Sequence, residues 1–109
     1  MATEMREREQ GFEAKFAHDE QMRFMIRARR DKLFARWAAA ILKLSPEQTD
    51  ALVQTVIHIP DGPKHDQTLL DTVAERLAGE TTREAQSAAL ARCLAEAQAA
   101  LDRSVTFTE

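Results

Sequence analysis

Successive residues of a helix are turned by about 100°. At that spacing Met22, Ile26, Leu33, Phe34, Trp37, Ala40, Ile41 and Leu44 share one broad stripe, which predicts an amphipathic helix from about residue 19 to 44. Ser45-Pro46-Glu47-Gln48 closes it and opens another: Ser45 can cap, Pro46 suits the first helical position, and Gln48 stands three residues past the cap. This second helix, about 46–59, turns Leu52, Val53, Val56 and Ile57 inward and stops at the turn Pro60-Asp61-Gly62-Pro63. A third, about 65–79, places Leu69, Leu70, Val73, Ala74 and Leu77 inward, with Gly79 at its end. Thr81 and Glu84 form a second capping box, opening a helix over about 82–103 that buries Leu90, Leu94, Ala97 and Leu101. Short connections make consecutive helices neighbours, mostly antiparallel, so the fold expected over 19–103 is an all-α four-helix bundle. The expected core centres on Leu33, Trp37, Ile41, Leu52, Val56, Leu70, Val73, Leu77, Leu90, Leu94 and Leu101, and a tail at 104–109 is expected to fray.

Residues 1–18 follow a thinner pattern, with only Met5, Phe12 and Phe16 on one helical face. Ordering a residue costs roughly 1–2 kcal/mol of backbone entropy. Burying an apolar side chain returns about 1.5–3 kcal/mol, and Gly11 weakens a helix by about 1 kcal/mol relative to Ala. The expectation is a mobile or loosely helical arm that orders against a partner.

Charge sharpens this division. The chain of 109 residues carries −3 overall, split as −1 over 1–18, +4 over 19–45 and −6 over 46–109. The basic helix can therefore pair with acids of the later ones. Arg23 and Arg30 fall within or beside the apolar stripe, so each should snorkel or pair with an acid of a later helix. Asp50, Asp66, Asp71 and Glu75 are the candidates, and Arg30 is expected to meet such a carboxylate or a helix C-terminal carbonyl. Phe24 and Met25 point away from the stripe, which fits either a helix flanked on both sides or a docking patch. The longest apolar run, Trp37 to Leu42, falls far short of the roughly 20 residues that span a bilayer. A charged N-terminus and a lone Cys93 speak for the cytosol rather than secretion.

Candidate chemistry is sparse. His18, His58 and His65 lack a metal-ligand spacing, and there is no Gly-rich phosphate loop, GxSxG or HExxH, so no catalytic residue, metal or cofactor is expected. The run Arg23, Arg27, Arg29, Arg30, Lys32 and Arg36, opposed only by Asp31, could track a phosphate backbone. The acidic remainder of the chain opposes nucleic-acid binding. Two alternatives therefore stand beside a regulatory role: a basic-helix nucleic-acid-binding protein, and a nucleotide-binding bundle in which Arg29, Arg30 and Lys32 meet phosphates.

The run Arg8-Glu9-Gln10-Gly11-Phe12-Glu13-Ala14-Lys15-Phe16-Ala17-His18-Asp19-Glu20, followed by Ala28-Arg29-Arg30-Asp31-Lys32-Leu33 and Trp37-Ala38-Ala39, resembles the zeta subunit of alphaproteobacterial F-type ATP synthases. The likeness is dense from about Arg8 to Leu44; beyond Ser45 it rests on length and helix order. It implies a non-enzymatic inhibitor, cytoplasmic and held at the inner membrane through the synthase. Its N-terminal helix would wedge into a catalytic interface of the alpha and beta subunits, near the gamma rotor, and block ATP hydrolysis. Carried over residue by residue, the arm would bind through Arg8, Glu9, Phe12, Glu13, Lys15 and Phe16, with Arg29, Arg30 and Lys32 as a secondary docking or phosphate contact. The chain departs from the family at Met5-Arg6-Glu7, where an aromatic and two acids are usual, and at Gly11, Arg27 and Arg36. These departures bear on potency rather than on membership.

Overall fold

The computed structural model describes the chain from residue 2 to 108 and its side chains from 19 to 103. Four helices follow one another: α1 (Ala2–Leu42), α2 (Pro46–Ile57), α3 (His65–Leu77) and α4 (Arg83–Thr108). The all-α four-helix architecture expected from the periodicity is the one found, with no strand among the described residues. Helix α1 begins at Ala2 rather than near residue 19, and α4 runs to Thr108, past the expected end near 103; the side chains of the expected arm, 1–18, and tail, 104–109, lie outside the described residues.

Local chemistry explains the boundaries. Ser45 caps α2 by accepting the Gln48 N–H at 3.1 Å, while its own N–H donates to Gln48 Oε1 at 3.0 Å, so the expected capping box is present. At α4 the cap lies one residue later than expected: Thr82 Oγ1 accepts the Ala85 N–H at 3.1 Å, and Thr81 instead accepts from Gln86 Nε2 at 3.0 Å. Helix α1 stops at Leu42 because Lys43 turns left-handed at φ 55°, which lets the Leu44 N–H reach back to the Ala39 carbonyl at 3.0 Å. Gly62, at φ 143°, holds a conformation that side chains disfavour and lets its carbonyl accept the His65 N–H at 3.1 Å, ending the turn before α3.

Helix α1 is the hub. It packs against α4, α2 and α3, whereas α2 and α3, though consecutive, meet each other little. Its buried face differs from the expected stripe. Phe34, Ala35, Ala38 and Ala39 are buried together with Arg30 and Asp31, while Leu33, Trp37 and Ile41 are only half-buried and Ala40 is exposed. The face is turned by roughly a quarter to a third of a helical turn from the apolar stripe. A helix touched by three others needs small side chains where backbones come closest; the larger ones then seal the flanks. Phe34 fills the centre and stacks on Trp37, ring centroids 5.5 Å apart and 9° from parallel. Leu52 and Val56 of α2, Leu69, Val73 and Leu77 of α3, and Ala89, Leu90 and Cys93 of α4 complete one core. Here too the inward faces shift slightly: Leu69 is buried where Leu70 is half-buried, and Leu94 is exposed.

Candidate functional site

Arg30 and Asp31 stand side by side on the buried face of α1, the guanidinium only 6% exposed as a residue. Arg30 Nε donates to Asp31 Oδ1 at 2.9 Å, and its Nη1 and Nη2 fork onto Asp66 of α3 at 3.3 and 2.7 Å. Arg30 thus has the carboxylate from a later helix that its place in the sequence demanded, and Asp66 is one of the four candidates. Burial alone would lower the Arg30 pKa, but the hydrogen bonds to Asp66 and Asp31 and their charges outweigh it and raise it. The Arg30 hydrogen bonds hold the Asp66 carboxyl below its ordinary value, against a smaller opposing effect of burial.

The other oxygen of Asp31 continues the chain of contacts. It lies 2.6 Å from His65 Nε2, and His65 Nδ1 lies 3.0 Å from the Pro60 carbonyl. The Pro60 carbonyl can only accept, so Nδ1 donates there, and a carboxylate oxygen at Nε2 favours a second proton and the imidazolium form. Burial would lower the His65 pKa, but the Pro60 carbonyl and then Asp31 overcome it and raise it. Arg30, Asp31, His65 and Asp66 therefore form a neutral set of two cations and two anions that clamps α1 to α3. Neither imidazole nitrogen keeps a free lone pair for a metal or for proton abstraction. The cluster is structural.

The basic run of α1 is divided by this arrangement. Arg23 is exposed and pairs with Glu20 on its own helix at 3.2 Å, and Asp71 pairs with Arg83 at 3.0 Å rather than with an α1 base. Arg29 and Lys32, also exposed, turn to the opposite side from Arg30 and line a groove of about 450 Å³ between α1 and α4. Arg36 joins them, and Phe24, Met25, Ile26, Leu33, Ala97 and Leu101 supply apolar lining. The structure thus brings Arg29 and Lys32 together at this groove and holds Arg30 in the clamp with Asp31 and Asp66. Arg27 lines a second hollow of about 370 Å³ with Asp31, His58, Asp61 and His65. The side chains of Arg8, Glu9, Phe12, Glu13, Lys15 and Phe16 lie outside the described residues.

The profile of the family described as ATPase inhibitor subunit zeta matches residues 1–100. The chain belongs to that family. No curated protein and no solved structure matches the chain at a significant level. Membership makes the zeta-family chain a regulatory ATPase inhibitor by kind. No helix among its described residues is long and apolar enough to cross a membrane.

Two residues of the zeta-family chain escaped the sequence reading, Asp31 and His65. Asp31 carried a signal, since it is the single acid among the bases from Arg23 to Arg36 and adjoins an arginine in need of a partner. His65 carried none before α3 was placed on α1.

Proposed function

We propose that this chain inhibits the F-type ATP synthase by inserting its N-terminal helix at a catalytic interface of the alpha and beta subunits near the gamma rotor, so that rotation in the direction of ATP hydrolysis is blocked. The observation that carries the reading is the family match over residues 1–100, which takes in the arm and nearly all of the bundle. Physical chemistry supports the division of labour. Among the residues whose side chains are described, 19–103, the buried apolar core runs from Phe34 to Ala97. Met5, Phe12 and Phe16 form an apolar face too thin to hold 18 residues in place alone, so a partner must supply the remaining surface. Phe12 and Phe16 act as buried anchors, with Arg8, Glu9, Glu13 and Lys15 pairing around them. The inhibitor is peripheral, held in the cytoplasm at the inner membrane by the alpha, beta and gamma subunits.

The test compares the intact chain with one lacking residues 1–18 on a cognate enzyme. The truncated chain is expected to keep its thermal melting transition and to lose inhibition of ATP hydrolysis. Phe12→Ala with Phe16→Ala should lose nearly as much. Full inhibition by the truncated chain ends the proposal.

A further inference from the structure

The groove between α1 and α4 is built of two parts that the bundle itself does not use. Phe24 and Met25 stand at 55% and 49% exposure, side by side on α1, beside a floor of Ile26, Leu33, Ala97 and Leu101. Arg29, Lys32 and Arg36 follow along the same helix at intervals of three and four residues, which strings three cations over about 10 Å. None of the three forms an ion pair with a described residue, whereas Arg23, Arg30 and Arg83 each do. An apolar trough flanked by a straight row of cations without an ion-pair partner among the described residues is complementary to an amphipathic helix whose polar edge carries carboxylates at the same spacing.

The arrangement disfavours a free nucleotide. Phosphate cradles converge backbone N–H groups from a helix N-terminus or a Gly-rich loop onto one point. This groove runs along the sides of α1 and α4, no residue of its lining belongs to the first turn of α2, α3 or α4, and its cations lie in a line.

We infer that the α1/α4 groove is a second docking site, and that its occupant is an acidic amphipathic helix of the inhibited enzyme. The inference rests on the reading of this chain as a synthase inhibitor and adds a contact made by the bundle rather than the arm. The arm blocks rotation; the groove holds the bundle against the enzyme's surface. Its cationic row would speed encounter and lend the association a salt dependence, and Phe24 and Met25 would slow release.

The experiment uses the full chain and cognate F1 assembly, with affinity measured at low and physiological salt and ATP hydrolysis followed at saturating inhibitor. Lys32→Glu with Arg36→Glu should weaken binding about tenfold at low salt and flatten its salt dependence. Hydrolysis should still be fully blocked at saturation, because the arm is intact. Phe24→Ala with Met25→Ala should weaken binding at both salt concentrations, and Arg76→Glu, an exposed reversal on α3, should change nothing. A photo-crosslinker at Met25 should attach to an acidic helix of F1. Unchanged affinity in both double variants overturns the inference, as does a crosslink to a second copy of this chain. Saturable binding of ATP alone in the groove, lost in the same variants while F1 binding stays intact, overturns it too. An intact chain that neither binds nor inhibits F1 removes the proposed function itself; an intact chain that inhibits, with both double variants silent, removes only the groove.

Discussion

Phe34 and Trp37 stack on one another, yet their surroundings differ, and truncation should separate them. Phe34 is fully buried among residues of all four helices, whereas Trp37 is only partly covered. Phe34→Ala leaves a cavity that the close-packed alanines around it cannot fill, and should cost about 3–5 kcal/mol. Trp37→Ala removes the larger ring but should cost under about half as much, since part of that ring already meets water. Urea denaturation of the two variants gives the order, and a greater loss at Trp37 would mean that the hub faces the other way. The sequence favours Trp37 as the central ring because it is large and lies on the apolar stripe. Ala35, Ala38 and Ala39 decide otherwise, and alanine carries little hydrophobic signal even where backbone proximity makes it indispensable.

Between elements, the clamp of α1 on α3 makes stability depend on pH from two sides. His65 has a raised pKa in the fold, so its contribution is complete below the ordinary value of 6.5 and fades as pH climbs through the folded value above it. Asp66 has a lowered pKa, so its contribution is complete above the ordinary value of 3.8 and fades as pH falls through the folded value beneath it. Both are whole between about pH 4 and 6.5. Asp31 of α1 meets His65, and the charge of Arg30 opposes its protonation. Arg27 lies near Asp66, Asp61 approaches the His65 ring to 3.9 Å, Asp66 adjoins it in sequence, and His58 shares its hollow. The stability lost in His65→Asn should therefore be greatest near pH 6 and shrink as pH is raised toward 9, as denaturation at a series of pH values will reveal; a penalty independent of pH would mean that folding does not shift the His65 pKa. Helix number and the start of α2 are legible in the chain because Ser45, Pro46 and Gln48 act within four residues of one another. The Asp31–His65 contact spans 34 residues, and it exists only once α3 has settled on α1. The groove was half legible: Phe24 and Met25 stood out as apolar residues off the stripe, but Ala97 and Leu101, which face them, read only as core.

For the molecule as a whole, the proposed arm and the bundle call for different tests; among the residues with described side chains, 19–103, burial begins at Arg30. Helix α1 carries the proposed inhibitory segment at one end and organises the bundle at the other, so core and inhibition should be separable by substitutions on the same element. The single Cys93 allows that separation to be timed. Its side chain is buried in the core shared by all four helices, and burial is the first cause raising its thiol pKa. A thiol reagent must wait for the bundle to open. Phe34→Ala should hasten modification in proportion to the stability it loses, whereas Phe12→Ala with Phe16→Ala should leave the rate unchanged; mass spectrometry of the quenched reaction reads both. An alkylation rate that ignored Phe34→Ala would mean that α4 peels away by itself. With one reactive atom per chain, each molecule records its own opening as an irreversible change in mass, and the record needs no dye, tag or purified sample.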